Sequence, residues 1–346
     1  MLTTKKCGCE LEGNMKARIA YLDAVKLVTI YLVILGHVTQ MMVHGWTVGE
    51  HLWKPIYSFH MPLFMLVSGF FVSNRMLNLP FGKMMKAKAI QLLLPSAACT
   101  VVCCVYLYFA RDTVNYRDEI IGNSWFLKTL FVYFVLFWLL KHTSLNDWLL
   151  FVLSCIFLFL VPKGSTLQIN LLWPYFWAGS FLKKFHILDK MIGKWQLVLV
   201  FFLLYTSTYA IQWFMDIPNI ITINPETLYK QWYLILFRYI VAFSGSMCVI
   251  LLVAWIYERW HDSSILKYLA GFGQYTLGVY ILQTILVNNV FPDTFAWYVE
   301  SKWLLDMVVA PILSLGFLFL CLWLIHILSK NKILDLLFFG GQYYKR

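Results

Sequence analysis

The chain of 346 residues is 61% hydrophobic and 18% aromatic, with only 13% charged residues. An ordinary soluble domain carries about 25% charged and roughly 45–50% apolar residues, so a free aqueous enzyme, a disordered chain, a collagen-like rod and a small disulfide scaffold are excluded. The net charge of +11 would suggest nucleic acid on a soluble protein. Here the basic residues fall in short loops between apolar runs, where they set membrane orientation, so the expected surroundings are a lipid bilayer and no nucleic acid.

A membrane-spanning helix needs about 20 largely apolar residues, and the sequence predicts an all-α, polytopic helical bundle with about ten of them. Residues 1–19 hold Lys5, Lys6, Lys16 and Arg18 and no apolar core of their own, as expected of a cytoplasmic tail and not of a cleavable signal peptide. The apolar runs then follow at Ala20–Val43, Pro55–Ser73, Ala87–Ala110, Ser124–Leu140, Trp148–Val161, Ile169–Leu182, Trp195–Met215, Trp232–Tyr257, Leu269–Phe291 and Trp303–Leu328. They are continuous, whereas a β-barrel would show alternating strands of about ten residues. One ten-helix domain is expected over 20–328, with a second cytoplasmic tail at 329–346. Counted on this scheme, 19 of the 28 Lys and Arg lie on the inner side and 6 on the outer, which predicts both termini in the cytoplasm and a location in the plasma or inner membrane. Six of the eight cysteines sit inside the runs and Cys7 and Cys9 in the first tail, so no outer disulfide is expected. Cys7-Gly8-Cys9 lacks a partner cluster at metal-ligand spacing, and no metal is expected.

Ionisable groups inside a membrane cost several kcal/mol unless they have a partner, a wet cavity or a job. On the first helix Asp23, Lys26 and His37 share one stripe. Depth separates them: at 1.5 Å per residue Lys26 lies roughly 9 Å from the inner boundary and His37 roughly 9 Å from the outer one. His60, on a second helix descending from the outer side, lies about 8 Å deep and therefore level with His37. Two imidazoles at one depth can supply a general base and a second hydrogen-bonding group, and Pro62 opens the backbone beside them. The same stripe also fits a structural reading in which Asp23 and Lys26 neutralise each other and His37 is a satisfied interior residue. Later in the chain Thr276, Tyr280 and Gln283 form a polar stripe, and Arg238, on a face with Ala242 and Gly245, calls for a carboxylate or phosphate partner. Lys83, Lys86 and Lys88 cluster at the opening of the third helix, and a ligand with several negative charges, such as coenzyme A, would give them a function.

Several pieces in order resemble a known family. Leu22-Asp23-x-x-Lys26 precedes Leu35-Gly36-His37; Ser58-Phe59-His60-Met61-Pro62-Leu63-Phe64 leads to Ser68-Gly69-Phe70-Phe71. Lys86-x-Lys88 comes before Pro95, and Trp125-Phe126-Leu127 opens the fourth run. Tyr175-Phe176-x-x-Gly179 with Lys183-Lys184, and Phe272-Gly273-x-Tyr275-Thr276-Leu277-Gly278-Val279-Tyr280, complete the set. Together they resemble the integral-membrane acyltransferase family 3, especially its fucose 4-O-acetylase-like branch. The resemblance implies an O-acetyltransferase that moves an acyl group from acetyl-CoA to a hydroxyl of a sugar or envelope polysaccharide. It implies a catalytic set of His37, His60 and Asp23, donor contacts from Lys26, Lys86 and Lys88, and substrate contacts from Trp125, Tyr280 and Gln283. Some relatives carry an appended outer esterase-like domain. Without one, the expected routes are direct acylation of the carbohydrate or hand-over to a separate outer-side transferase partner. A transporter or flippase of an envelope intermediate is the alternative reading, since embedded charges also mark substrate pathways.

Overall fold

The structure, a computed structural model, describes residues 3–41, 50–110, 115–160, 167–219, 221, 223–294 and 302–344, with side chains from Tyr21 onward except at 41, 50, 51, 293, 294 and 302. Cys7 and Cys9, and the loop cations Arg111 and Lys163, lie outside the described side chains. Among the described residues every regular element is a helix. The principal ones are α1 (Thr3–Met41), α2 (Glu50–Phe70), α3 (Phe81–Ala110, with a π-helical segment at Ala89–Leu93), α4 (Trp125–Lys141), α5 (Asp147–Phe159) and α6 (Ile169–Lys184). They continue with α7 (Trp195–Phe214), α8 (Pro225–Arg259), α9 (Thr276–Ile285) and α10 (Leu305–Leu328).

The expectation of about ten spans is corrected. Among the described residues five helices are long and apolar enough to cross a membrane: Tyr21–Gln40 within α1, and α3, α7, α8 and α10. A sixth is counted if Tyr116–Gly122 and α4, bent by 53°, form one broken span. The other runs fail for physical reasons. At about 1.5 Å per residue, the 13 residues of α5 and the 16 of α6 reach only about 20–24 Å, short of a hydrocarbon core of about 30 Å. α2 has the length, but Glu50, Lys54, Ser58 and His60 dilute its apolar character. The ninth run is broken by a 3₁₀ turn at Phe272–Tyr275, and beyond it Gln283, Asn288 and Asn289 dilute the apolar stretch. The expected placement of both termini in the cytoplasm, tied to ten spans, goes with that count. Five or more apolar spans make this a multi-pass protein of the cell membrane.

α1 lies in the middle of the bundle. Val25, Ile30, Ile34 and Val38 are fully buried on it, and it packs against α2, α8, α9 and α10. The tightest crossing joins α2 to α6. A Cβ on Gly69 would strike the Phe176 carbonyl oxygen, and one on Gly179 the Leu66 carbonyl oxygen, so the two backbones touch only because both positions are glycine. α6 then buries Trp173, Phe176 and Trp177 against Tyr133 and Phe137 of α4, an aromatic wall with ring centroids 4.8–5.8 Å apart.

Prolines inside these helices leave carbonyls that side chains reclaim. Pro174 has no N–H for the Asn170 carbonyl, which accepts instead from the Tyr239 hydroxyl at 3.4 Å. Pro62 likewise frees the Ser58 carbonyl, which accepts from Arg238 Nη2 at 3.2 Å. At the lysine-rich end, Lys183 Nζ donates to the carbonyl of Val72, beyond the end of α2, at 2.6 Å. Asp147 there joins Lys141 at 2.5 Å and Lys184 at 2.6 Å, tying the start of α5 to the ends of α4 and α6.

Candidate active site

Two cavities lie back to back inside the bundle. The first, about 330 Å³, opens near the lysine-rich end and is walled by Phe64, Val67, Leu127, Leu130 and Leu277, with Lys26 and Lys88 as its cations. Lys26 Nζ lies 2.8 Å from Asp23 Oδ1 and 3.7 Å from the centre of the Phe71 ring. Lys88 Nζ donates to Gln91 Oε1 at 2.9 Å and stands 3.9 Å above the Phe134 ring. Each ammonium therefore has aromatic support and lines a space with apolar walls. The π segment at Ala89–Leu93 places Gln91 and Leu92 on the same wall.

The second cavity, about 210 Å³, is the imidazole chamber, and both His37 and His60 line it. The expected common depth on α1 and α2 thus leads to one shared space. Tyr57 stands between them, its ring 6.1 Å from that of His37 and 4.6 Å from that of His60. Its hydroxyl donates to Gln40 Oε1 at 2.8 Å and lies 3.1 Å from His37 Nδ1. With Gln40 Oε1 facing the phenol, its one hydrogen goes to Gln40, and the tautomer that completes the set is Nδ1–H donating to the Tyr57 oxygen. In that tautomer the lone pair is on Nε2. His60 is held in the same tautomer, since its Nδ1 lies 2.9 Å from the Ile56 carbonyl oxygen, which can only accept. His60 is buried at 4% exposure, whereas His37 is partly open.

Tyr280 belongs to both walls, so the lysine-lined cavity and the imidazole chamber meet at this residue. It packs 5.7 Å from Phe126. Trp125 lines the chamber beside it, at the start of α4. Ser124 just before it has a left-handed φ of 52°, and Gln168, another chamber residue, one of 49°. Both turns carry strain that a polar side chain at a helix entry can bear.

The remaining sequence-derived candidates are placed elsewhere. Asp23 is paired with Lys26, about 21 Å along α1 from His37, and does not reach the imidazoles. Lys86 is exposed and outside the cavity wall that holds Lys88. Gln283 is fully buried, donates to Thr284 Oγ1 at 3.1 Å and lines neither cavity. Sequence reasoning did not find Tyr57 and Gln40 as the partners of His37, although Gln40 stands one turn beyond it. Nor did it find Asn219, Gln168 or the partners of Arg238. Among the described residues no three His, Cys, Asp or Glu side chains converge as metal ligands.

The family described as Acyltransferase domain matches residues 19–326, which takes in both cavities. The chain is 31% identical over 173 residues to Nodulation protein NolL of Sinorhizobium fredii (strain NBRC 101917 / NGR234), covering 45% of this chain and 46% of that protein. It is 27% identical over 320 residues to Nodulation protein NolL of Mesorhizobium japonicum (strain LMG 29417 / CECT 9101 / MAFF 303099), covering 82% and 81%. The first match thus spans about half the length of that relative. No solved structure matches the chain.

Proposed function

Because the chain belongs to the acyltransferase family that matches residues 19–326, we propose that it moves an acetyl group from acetyl-CoA to a hydroxyl of a sugar or envelope polysaccharide, with His37 Nε2 as general base. We place it in the fucose 4-O-acetylase-like branch on the motifs around His60 and Gly69. The observation that carries the reading is the Gln40–Tyr57–His37 relay, which leaves a basic nitrogen in a chamber that adjoins a lysine-lined cavity across Tyr280.

Lys26 and Lys88 neutralise phosphate oxygens of the donor, and Asp23 fixes the position of Lys26. The apolar walls between Phe64 and Leu130 suit a pantetheine arm carrying its thioester toward Tyr280. On the far side a sugar hydroxyl, a poor nucleophile at neutral pH, gives its proton to His37 Nε2 as its oxygen attacks the thioester carbonyl. The C–O bond forms, the C–S bond breaks, and the imidazolium returns the proton to the departing thiolate. Tyr57 stabilises the cationic ring through Nδ1–H. His60, with its lone pair at Nε2, accepts from the acceptor and orients it, while Trp125 and Tyr280 close the space around it.

The test is transfer of labelled acetyl from acetyl-CoA to envelope carbohydrate by the purified protein in lipid. His37→Ala is expected to abolish ester formation while the protein remains inserted and abundant. Wild-type transfer by that variant would remove His37 from the reaction.

A further inference from the structure

Arg238 is the group that the transfer chemistry above leaves unused. It comes from α8, is 3% exposed, and forms part of the chamber wall with His37 and His60. Its guanidinium offers five N–H donors. Nη1 donates to Gln212 Oε1 at 2.9 Å, and Nη2 donates to the Ser58 carbonyl at 3.2 Å and the Asn219 carbonyl at 2.7 Å. All three acceptors are neutral. Nε has no partner. Among the described residues no carboxylate lies within 4 Å of the guanidinium, and none lines the chamber.

A permanent positive charge is therefore buried inside the bundle with no counter-ion among the described residues, a placement that costs several kcal/mol unless a function requires it. The site is also built to hold that charge still. One oxygen comes from the backbone of α2 where Pro62 leaves it free, one from the α7 side chain Gln212, and one from the connection after α7. A fixed planar fork with donors to spare suits carboxylate or phosphate.

A third cavity, about 440 Å³, meets the chamber at Asn219. Trp53 and Trp213 line it, with Lys54 Nζ 5.2 Å from the Trp213 ring and Asp216 as its acid. Asn219 accepts from Gln212 Nε2 at 2.7 Å and donates to the Lys54 carbonyl at 3.1 Å, so the arginine's support and the aromatic cleft are one hydrogen-bonded unit. Indole faces suit sugar rings, and a second cation stands at this mouth.

We propose that Arg238 reads a negatively charged group, a carboxylate or a phosphate, on the carbohydrate acceptor as it lies in the imidazole chamber. The proposal rests on the acyl-transfer reading above and adds the acceptor's charge to it. The anion completes the guanidinium's hydrogen bonds and places a neighbouring hydroxyl at His37 Nε2.

The experiment compares matched acceptors with the full-length protein in lipid: a methyl glucoside, the corresponding methyl glucuronoside, and the corresponding glucose phosphate. Wild type is expected to favour one of the anionic acceptors by about tenfold or more in kcat/KM, carried by KM, the range of a charge-assisted hydrogen bond. The preferred member of the anionic pair tells carboxylate from phosphate. In Arg238→Gln the ratio of charged to neutral acceptor is expected to fall toward one with the KM for acetyl-CoA unchanged, and Arg238→Lys is expected to retain part of it. Equal use of charged and neutral acceptors by wild type would overturn the proposal while leaving acyl transfer intact. So would a preference that survives in a folded Arg238→Gln protein. Failure to acylate any of the three would instead strike the transfer reading itself, and the proposal with it.

Discussion

Replacing Tyr57 with phenylalanine removes one oxygen and tests the relay that positions the base. In the native chamber that oxygen accepts from His37 Nδ1 at 3.1 Å while its hydrogen goes to Gln40 Oε1 at 2.8 Å. Tyr57→Phe leaves Nδ1–H without an acceptor in the tautomer that keeps Nε2 basic. A net hydrogen bond is worth about 0.5–1.5 kcal/mol, and an abandoned buried donor about 1–3. His37 is only partly buried, so a loss near 1–2 kcal/mol in favour of the working tautomer is expected, about five- to thirty-fold in kcat. The ring remains, so its packing against His60 and the chamber volume change little. The assay is steady-state acetyl transfer with purified protein in lipid, following kcat and the KM for acetyl-CoA separately, and KM is expected to stay within about twofold. Gln40→Leu provides an independent arm. It frees the phenolic hydrogen to turn toward Nδ1, which reverses the tautomer and lowers kcat without touching either ring. Wild-type kcat in both variants would refute the relay.

Other consequences follow from the same geometry. Lys88→Ala is expected to raise the KM for acetyl-CoA several-fold and Lys86→Ala to change it little, because Lys88 lines the cavity and Lys86 faces outward; equal effects would contradict the assigned wall. Gly179→Ala forces a methyl against the Leu66 carbonyl, and since a backbone cannot step aside the cost should reach about 3 kcal/mol, read as a lowered midpoint in a thermal unfolding series by size-exclusion. An unchanged midpoint would show that α2 and α6 do not cross this closely. Tyr280→Ala removes the ring at which the two cavities meet and is expected to increase hydrolysis of acetyl-CoA in the absence of acceptor, measured as free thiol release; a rate no higher than wild type would argue against a barrier at that ring.

Much of this layout was legible in the chain. Helical rise alone put His37 and His60 at one level, and the glycine pieces around Gly69 and Gly179 prove to be two sides of a single crossing. What was not legible depends on rotation and on contacts between helices. Lys86 and Lys88 share a segment, yet two residues turn a helix by about 200°, and only one of them can face the cavity. Gln283 follows Tyr280 by three residues, about 60° off its direction, enough to put it behind the wall. Tyr57 meets His37 across two helices, and no spacing within either one reveals that meeting. The span count erred because an apolar run does not disclose the length of its helix: α5 and α6 are apolar but only 13 and 16 residues long, and the ninth run is broken by a 3₁₀ turn at Phe272–Tyr275.

The oxygen that Pro62 leaves vacant links two features that seem unrelated. With any other residue at that position, a backbone hydrogen would compete with Arg238 for the Ser58 carbonyl. Restoring that helical hydrogen bond and loosening the neighbour's cation are then one event. A substitution chosen to make α2 more regular would contest one of the three oxygens that hold the charge on α8, so an ordinary stabilising repair at this position is expected to act on substrate selection.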